Sequence, residues 1–220
     1  MIGDHDVHIW TAAEVGAGAV PAEHLPYVRE ILAWAGRYLV SSHPDLGRNG
    51  PVCPYTQPSL HKGLFHLAAL TAANGETDVR DAIESLRSWY ERLSSRLPPA
   101  DRELLTILLV LPQLDHHDAT ALDDLQREAK DKFVADGLMI GQFHPVCDQP
   151  GLWNDEFKAL RAPVPLLAIR KLVVFDLPFL MDSAVHAESY FRRFAPDIPP
   201  RIRDQLVKRL AGTEKSLQTA

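Results

Sequence analysis

Apolar residues recur along this chain in blocks of two kinds, some at helical spacing and some as short unbroken runs, with Pro- and Gly-rich stretches between them. The first 20 residues mix Gly, Ala and polar groups without a period and read as a loose N-terminal arm. From Pro21 onward, Leu25, Val28, Leu32, Ala35 and Leu39 fall on one stripe of a 3.6-residue period, which predicts a helix to about Ser42. The following stretch, SSHPDLGRNGPVCPYTQP, has the composition of a loop. GLFHLAAL, residues 63–70, is a short apolar run closed by the turn signal Asn74-Gly75 and predicts a strand.

Thr77 or Asp78 can cap the next helix, whose stripe is Val79, Ile83, Leu86, Tyr90 and Leu93 and whose end is Pro98-Pro99. LLTILLVLP, from Leu104 to Pro112, lacks polar alternation and reads as a strand buried on both faces, with Leu105, Ile107, Leu109 and Val110 in the core. Leu122, Leu125, Ala129 and Phe133 mark another helix, stopped by Gly137. LMIGQF is a third strand, Val164 to Val174 a fourth, DLPFLMDSAVHAESYFRRF a helix, and a final helix runs from about Pro200 to Leu210.

This order predicts an α+β fold: a mixed four-stranded sheet covered by helices, in a single domain over residues 21–212 with a polar tail at 213–220. Strands separated by helices favour parallel pairs, and the long link before the fourth strand permits an antiparallel one. There is no internal repeat.

Length and composition agree with one globular unit. The chain has 220 residues, 46% hydrophobic and 24% charged, enough to bury a substantial core. A net charge of −6 argues against a nucleic-acid partner, which needs clustered cations. Arg170 and Lys171 interrupt the longest apolar candidate, so no membrane partner is expected. MIGDHDVHIW lacks the pattern of a secretory signal, which implies a cytoplasmic, reducing setting in which Cys53 and Cys147 are free thiols.

Gly-rich phosphate loops, G-x-S-x-G and H-E-x-x-H are missing, so nucleotide-dependent and common hydrolase readings fall away. Two loops at predicted strand ends remain, Gly50-Pro51-Val52-Cys53-Pro54-Tyr55 and Phe143-His144-Pro145-Val146-Cys147-Asp148. In each a possible ligand precedes a proline, which restricts the preceding residue to extended backbone and limits the direction of its side chain. The same grammar is ordinary in loops.

Three chemistries can be built from these residues. Cys53 or His144 could ligate haem iron, His144 being the expected metal ligand. His144, Cys147 and Cys53 could hold zinc, although paired ligand motifs are lacking. A cysteine could act as nucleophile with His144 as base. His116-His117 reads as a solvated turn, His66 and His186 as packed or surface side chains, and His61 as a pocket-rim residue. Arg170, in an apolar strand, needs a carboxylate, a phosphate or a ligand, with Asp176 the nearest candidate in sequence. Arg161, Trp153 and Asn154 are candidates for contacting a substrate.

The segments GRNGPVCPY, LLTILLVLP, GLMIGQFHPVCDQPGLWN and LRAPVPLLAIRKLVVFDLPFL resemble an uncharacterised family of small bacterial proteins, common in actinobacteria and sometimes found near specialised-metabolite genes. The CP and FHP elements are also similar to those of a second uncharacterised bacterial family with CPFA and SFHP segments. A more distant likeness is to the haem-dependent arginine N-hydroxylase of the cycloserine pathway and its relatives. That likeness implies a haem oxidoreductase oxygenating an amine or amino acid, with Cys53 and His144 as the cofactor and catalytic residues; in a haem pocket Arg170 could pair a propionate or a substrate carboxylate. The alternatives are a non-catalytic ligand-binding or accessory protein and a cofactor-free cysteine enzyme.

Overall fold

In a computed structural model, residues 8–71 and 76–217 are described. One open sheet has strand order β1-β2-β3-β5-β4, formed by β1 (Trp10–Thr11), β2 (Phe65–Ala69), β3 (Thr106–Val110), β4 (Leu138–Phe143) and β5 (Leu166–Lys171). β2 and β3 are parallel, whereas β1–β2, β3–β5 and β4–β5 are antiparallel. All four strands read from the sequence are present. The sheet nevertheless has five strands rather than four.

The added strand lies in the stretch read as a loose arm. Trp10 pairs with Leu67 and Thr11 with His66. Thr11 also caps α1 (Ala12–Ala17): its hydroxyl accepts from the Glu14 N–H at 3.2 Å, and the Glu14 carboxylate accepts from the Thr11 N–H at 2.7 Å. This reciprocal capping satisfies backbone donors that a period search does not see. A two-residue strand is likewise too short to carry alternation. Residues 1–7 of the predicted arm, the Asn74-Gly75 turn and the last three residues of the tail lie outside the described residues.

Alternation sorts the strands onto two faces. Ile107, Leu109, Ile140, Leu167 and Ile169 face α4 (Glu76–Ser95) and α5 (Thr120–Asp136) in one cluster. Phe65, Leu67, Leu108, Val110 and Leu166 face α1 and α2 (Leu25–Trp34) in the other. Leu105, Ile107, Leu109 and Val110 are fully buried, as the unbroken apolar run predicts.

Other elements differ in extent from the sequence reading. The helix after Pro21 continues beyond Trp34 as a π-helical turn, Ala35–Leu39. The predicted loop holds a 3-10 turn, Pro44–Leu46, and a short α3 (Thr56–His61). The predicted helix from Asp176 is split into a 3-10 segment, Val174–Leu180, and α6 (Ala184–Phe194), with Ser183 accepting from the His186 N–H to begin the latter. The last helix, α7, runs Pro200–Leu217, past the predicted stop and into the residues read as tail. Among the described residues no helix is long and apolar enough to cross a membrane.

Candidate functional site

The two proline-flanked loops lie at different ends of β5: the His144 loop follows Phe143, which pairs with Leu166, and Cys53 lies beside Arg170. Phe143, the last residue of β4, packs with the α2-side cluster, and Cys53 belongs to that same cluster. His144 comes next in the chain and turns the other way. Its Nε2 stands 3.3 Å from Oδ1 of Asp123, in the first turn of α5. The ring is 4% exposed, and neither nitrogen has a hydrogen-bond partner of acceptable geometry. His144 is therefore an enclosed residue paired by proximity with Asp123, and the structure does not bring it to Cys53.

Cys53 instead sits near the other end of β5. Its backbone N–H donates to the Leu39 carbonyl at 2.8 Å, and its thiol lies within charge-interaction reach of Arg170. The Arg170 guanidinium is already clamped: its terminal nitrogens donate to the two carboxylate oxygens of Asp176 at 2.8 and 2.6 Å. Burial is the largest single influence and disfavours this cation, but the Asp176 hydrogen bonds together with the charges of Asp176, Cys53 and Tyr55 hold the guanidinium above its ordinary pKa. With its fork filled by Asp176, Arg170 has the structural partner that its position in an apolar strand demanded.

Cys147 is 2% exposed. Burial pushes its thiol pKa up, and a hydrogen bond from the Gln149 backbone only partly opposes this. An activated nucleophile requires the reverse shift. Brief alkylation of the native protein near neutral pH is expected to label the half-buried Cys53 well before Cys147, read by mass spectrometry. Rapid labelling of Cys147 would restore the cysteine-enzyme reading. Among the described residues no group of three or more His, Cys, Asp or Glu side chains is placed to hold a metal ion.

The other candidates divide. His117 donates its N–H to Asp115 within a surface turn, and His186 lies 2.7 Å from an Asp131 oxygen. Trp153 is 63% exposed, and the Asn154 amide donates to the Asp45 carbonyl at 2.8 Å. Asn154 thus serves as a tie between two loops. Arg161, by contrast, lines a cavity.

That cavity, about 600 Å³, opens between the end of α2 with its π-helical turn and the segment leading into β5. One wall is Trp34, Tyr38 and His43, and the other includes Phe157, Lys158 and Arg161. Trp34 and Tyr38 stack with centroids 5.8 Å apart, Trp34 meets Phe143 edge-on, and His43 lies 4.7 Å from Phe157. π-Helical turns recur at functional sites because the extra residue re-aims side chains within a helix. Here the turn lies between Trp34 and His43.

The walls are joined by a close backbone crossing. Gly47 has φ +76°, and a Cβ there would stand 2.6 Å from the Trp153 carbonyl oxygen. Only glycine meets both constraints without strain. The nearby Asn154–Asp45 hydrogen bond fastens the same crossing.

Of the residues singled out from sequence, Arg161 alone lines this cavity, together with Pro145, the proline following His144. Trp34, Tyr38, His43 and Phe157 were missed. A signal for two of them existed, since Trp34 and Tyr38 are an aromatic i, i+4 pair lying off the stripe that carries Leu32, Ala35 and Leu39. His43 and Phe157 meet across 114 residues of chain, a contact no local pattern encodes.

No curated protein and no solved structure is significantly similar to this chain. The family model described as a domain of unknown function, DUF6875, matches residues 28–205, which span β2 to β5 and both cavity walls, and the chain belongs to that family.

Proposed function

We propose that this protein binds a small organic metabolite in the aromatic cleft beside β4, and that this cleft is the seat of its function. The observation carrying the proposal is the cleft itself: a shallow, widely open depression of about 600 Å³ lined by aromatic rings with a few charged groups at its rim. Cys53 and His144 line neither this cleft nor the smaller cavity near Tyr90.

The sequence holds four tryptophans, so a two-dimensional nitrogen–proton spectrum offers four indole signals, of which Trp34→Phe identifies one. A panel of aromatic acids, amines, alcohols and sugars is expected to shift the Trp34 indole and the amides of residues 34–43 and 156–162. Shifts concentrated instead around Cys53–Tyr55 or His144–Cys147 would overturn the proposal.

Haem-dependent oxidation is the second reading, and one observation favours it. The cleft has an imidazole, His43, between flat walls, with Arg161 available for a propionate. Against this, His43 Nδ1 accepts the Asp45 N–H at 3.2 Å, a hydrogen bond that caps the 3-10 turn and that a tautomer ligating iron through Nε2 would give up. Hemin is expected to bind wild type and His43→Ala alike, without a ligand-specific Soret shift. A Soret band that depends on His43 would establish the haem reading, and one that depends on His144 would return the centre to the loop first read from the sequence.

A further inference from the structure

We infer that the ligand of the cleft is a ring-bearing monocarboxylic acid, its carboxylate meeting Arg161 and its ring lying against Trp34 and Tyr38; the inference rests on the reading of the cleft as the binding site. Arg161 is held in place from behind. Its Nε donates to the Cys147 carbonyl at 3.0 Å and one terminal nitrogen donates to Asp148 at 2.8 Å. The second terminal nitrogen has no protein acceptor among the described residues.

The Asp148 side chain is 83% exposed, so that ion pair is weak and open to exchange with an incoming carboxylate. The bond to the Cys147 carbonyl survives such an exchange and keeps the guanidinium plane oriented. A planar fork of this kind suits a carboxylate, which it can meet with two parallel hydrogen bonds.

Other cleft groups are also donors. The neutral His43 ring offers Nε2–H, since Nδ1 is occupied by the Asp45 N–H. Burial pushes the Tyr38 phenol pKa up, so it keeps its proton at neutral pH. Trp34 and Tyr38, stacked with planes 26° apart and both lining the cleft, offer aromatic surface to a ring. Glu156, which also lines the cleft, disfavours a second negative charge on the ligand, while the Lys158 ammonium on the same wall already donates to the Asp155 carbonyl at 3.0 Å, so a monoacid is favoured over a diacid.

The test uses the full chain and three probes, indole-3-acetate, its neutral amide indole-3-acetamide, and homophthalate as an aromatic diacid, each titrated against the Trp34 indole signal. Indole-3-acetate is expected to bind at least roughly tenfold tighter than either of the others. Arg161→Gln should bring the acid down to the level of the amide, and Arg161→Lys, which keeps the charge and loses the fork, should fall between. Should Arg161→Gln not fold, the lysine variant and the acid-to-amide ratio in wild type still decide. Equal binding of acid and amide, or a ratio unchanged in the arginine variants, would overturn the acid assignment while leaving the cleft as a binding site. If the wider panel leaves the Trp34 signal unmoved and perturbs another part of the molecule, the cleft reading itself has failed.

Discussion

Replacing Asp176 with alanine is expected to lower the unfolding free energy by about 2–3 kcal/mol, less than the cost for a fully buried ion pair because the Arg170 side chain keeps a quarter of its surface exposed. Asp176 is 2% exposed and accepts three hydrogen bonds, two from Arg170 at 2.8 and 2.6 Å and one from the Val173 N–H at 2.8 Å. The alanine variant leaves the partly exposed guanidinium with the Lys171 carbonyl, 2.9 Å away, as its remaining hydrogen-bond acceptor among the described residues. It also frees a buried N–H at the start of the 3-10 segment. Urea denaturation measures the loss.

The double variant Arg170→Met, Asp176→Leu removes both charges together and is expected to recover most of that loss, because desolvation of the pair is removed along with its attraction. A loss below about 1 kcal/mol in Asp176→Ala would mean that Arg170 does not depend on Asp176, and would reopen Arg170 as a ligand-binding cation.

The second large effect is expected at Gly47. Alanine there must hold φ +76° and place a Cβ 2.6 Å from the Trp153 carbonyl oxygen, so the loop crossing has to open. Left-handed backbone strain alone costs about 1–3 kcal/mol. The functional consequence reaches further than the stability loss, since the crossing fastens His43 to the segment carrying Phe157 and Arg161. Gly47→Ala is expected to broaden the amide signals of residues 43–47 and 153–157 and to weaken binding of any cleft ligand by more than tenfold. Alanine tolerated with unchanged melting temperature and unchanged ligand affinity would show that the crossing does not shape the cleft.

The strand pattern was legible because a core run such as Thr106–Val110 satisfies a single demand, burial on both faces, with a single class of residue. β1 was not legible: Trp10 and Thr11 form a strand because β2 has an edge to offer, and that edge exists only in the folded sheet. Arg170 was half legible. Its need for a partner is visible in an apolar strand, and Asp176 lies only six residues away.

His144 and Cys53 illustrate the opposite case. The prolines after them restrict each loop, but whether two loops share a space depends on where along the sheet each meets it, here the Leu166 end of β5 for the His144 loop and the Arg170 end for Cys53. Phe143 facing the α2 layer puts His144 toward Asp123, and that outcome follows from strand register. The cleft was hidden for a related reason. Its walls come from residues 34–43 and 156–163, joined by a crossing that depends on Gly47 and Asn154, and each segment alone reads as a helix end or a loop.

The central claim is that recognition resides in the Trp34–Arg161 cleft and not at His144. It is tested most directly by titrating the tightest acid of the probe series into Trp34→Ala and His144→Ala, with folding of each variant checked by its amide spectrum. Trp34→Ala is expected to lose at least tenfold in affinity, and His144→Ala to stay within about twofold of wild type. A folded His144→Ala variant that loses the ligand while Trp34→Ala retains it would contradict the account and place the functional centre at the buried His144 and the partly exposed Asp123 beside it.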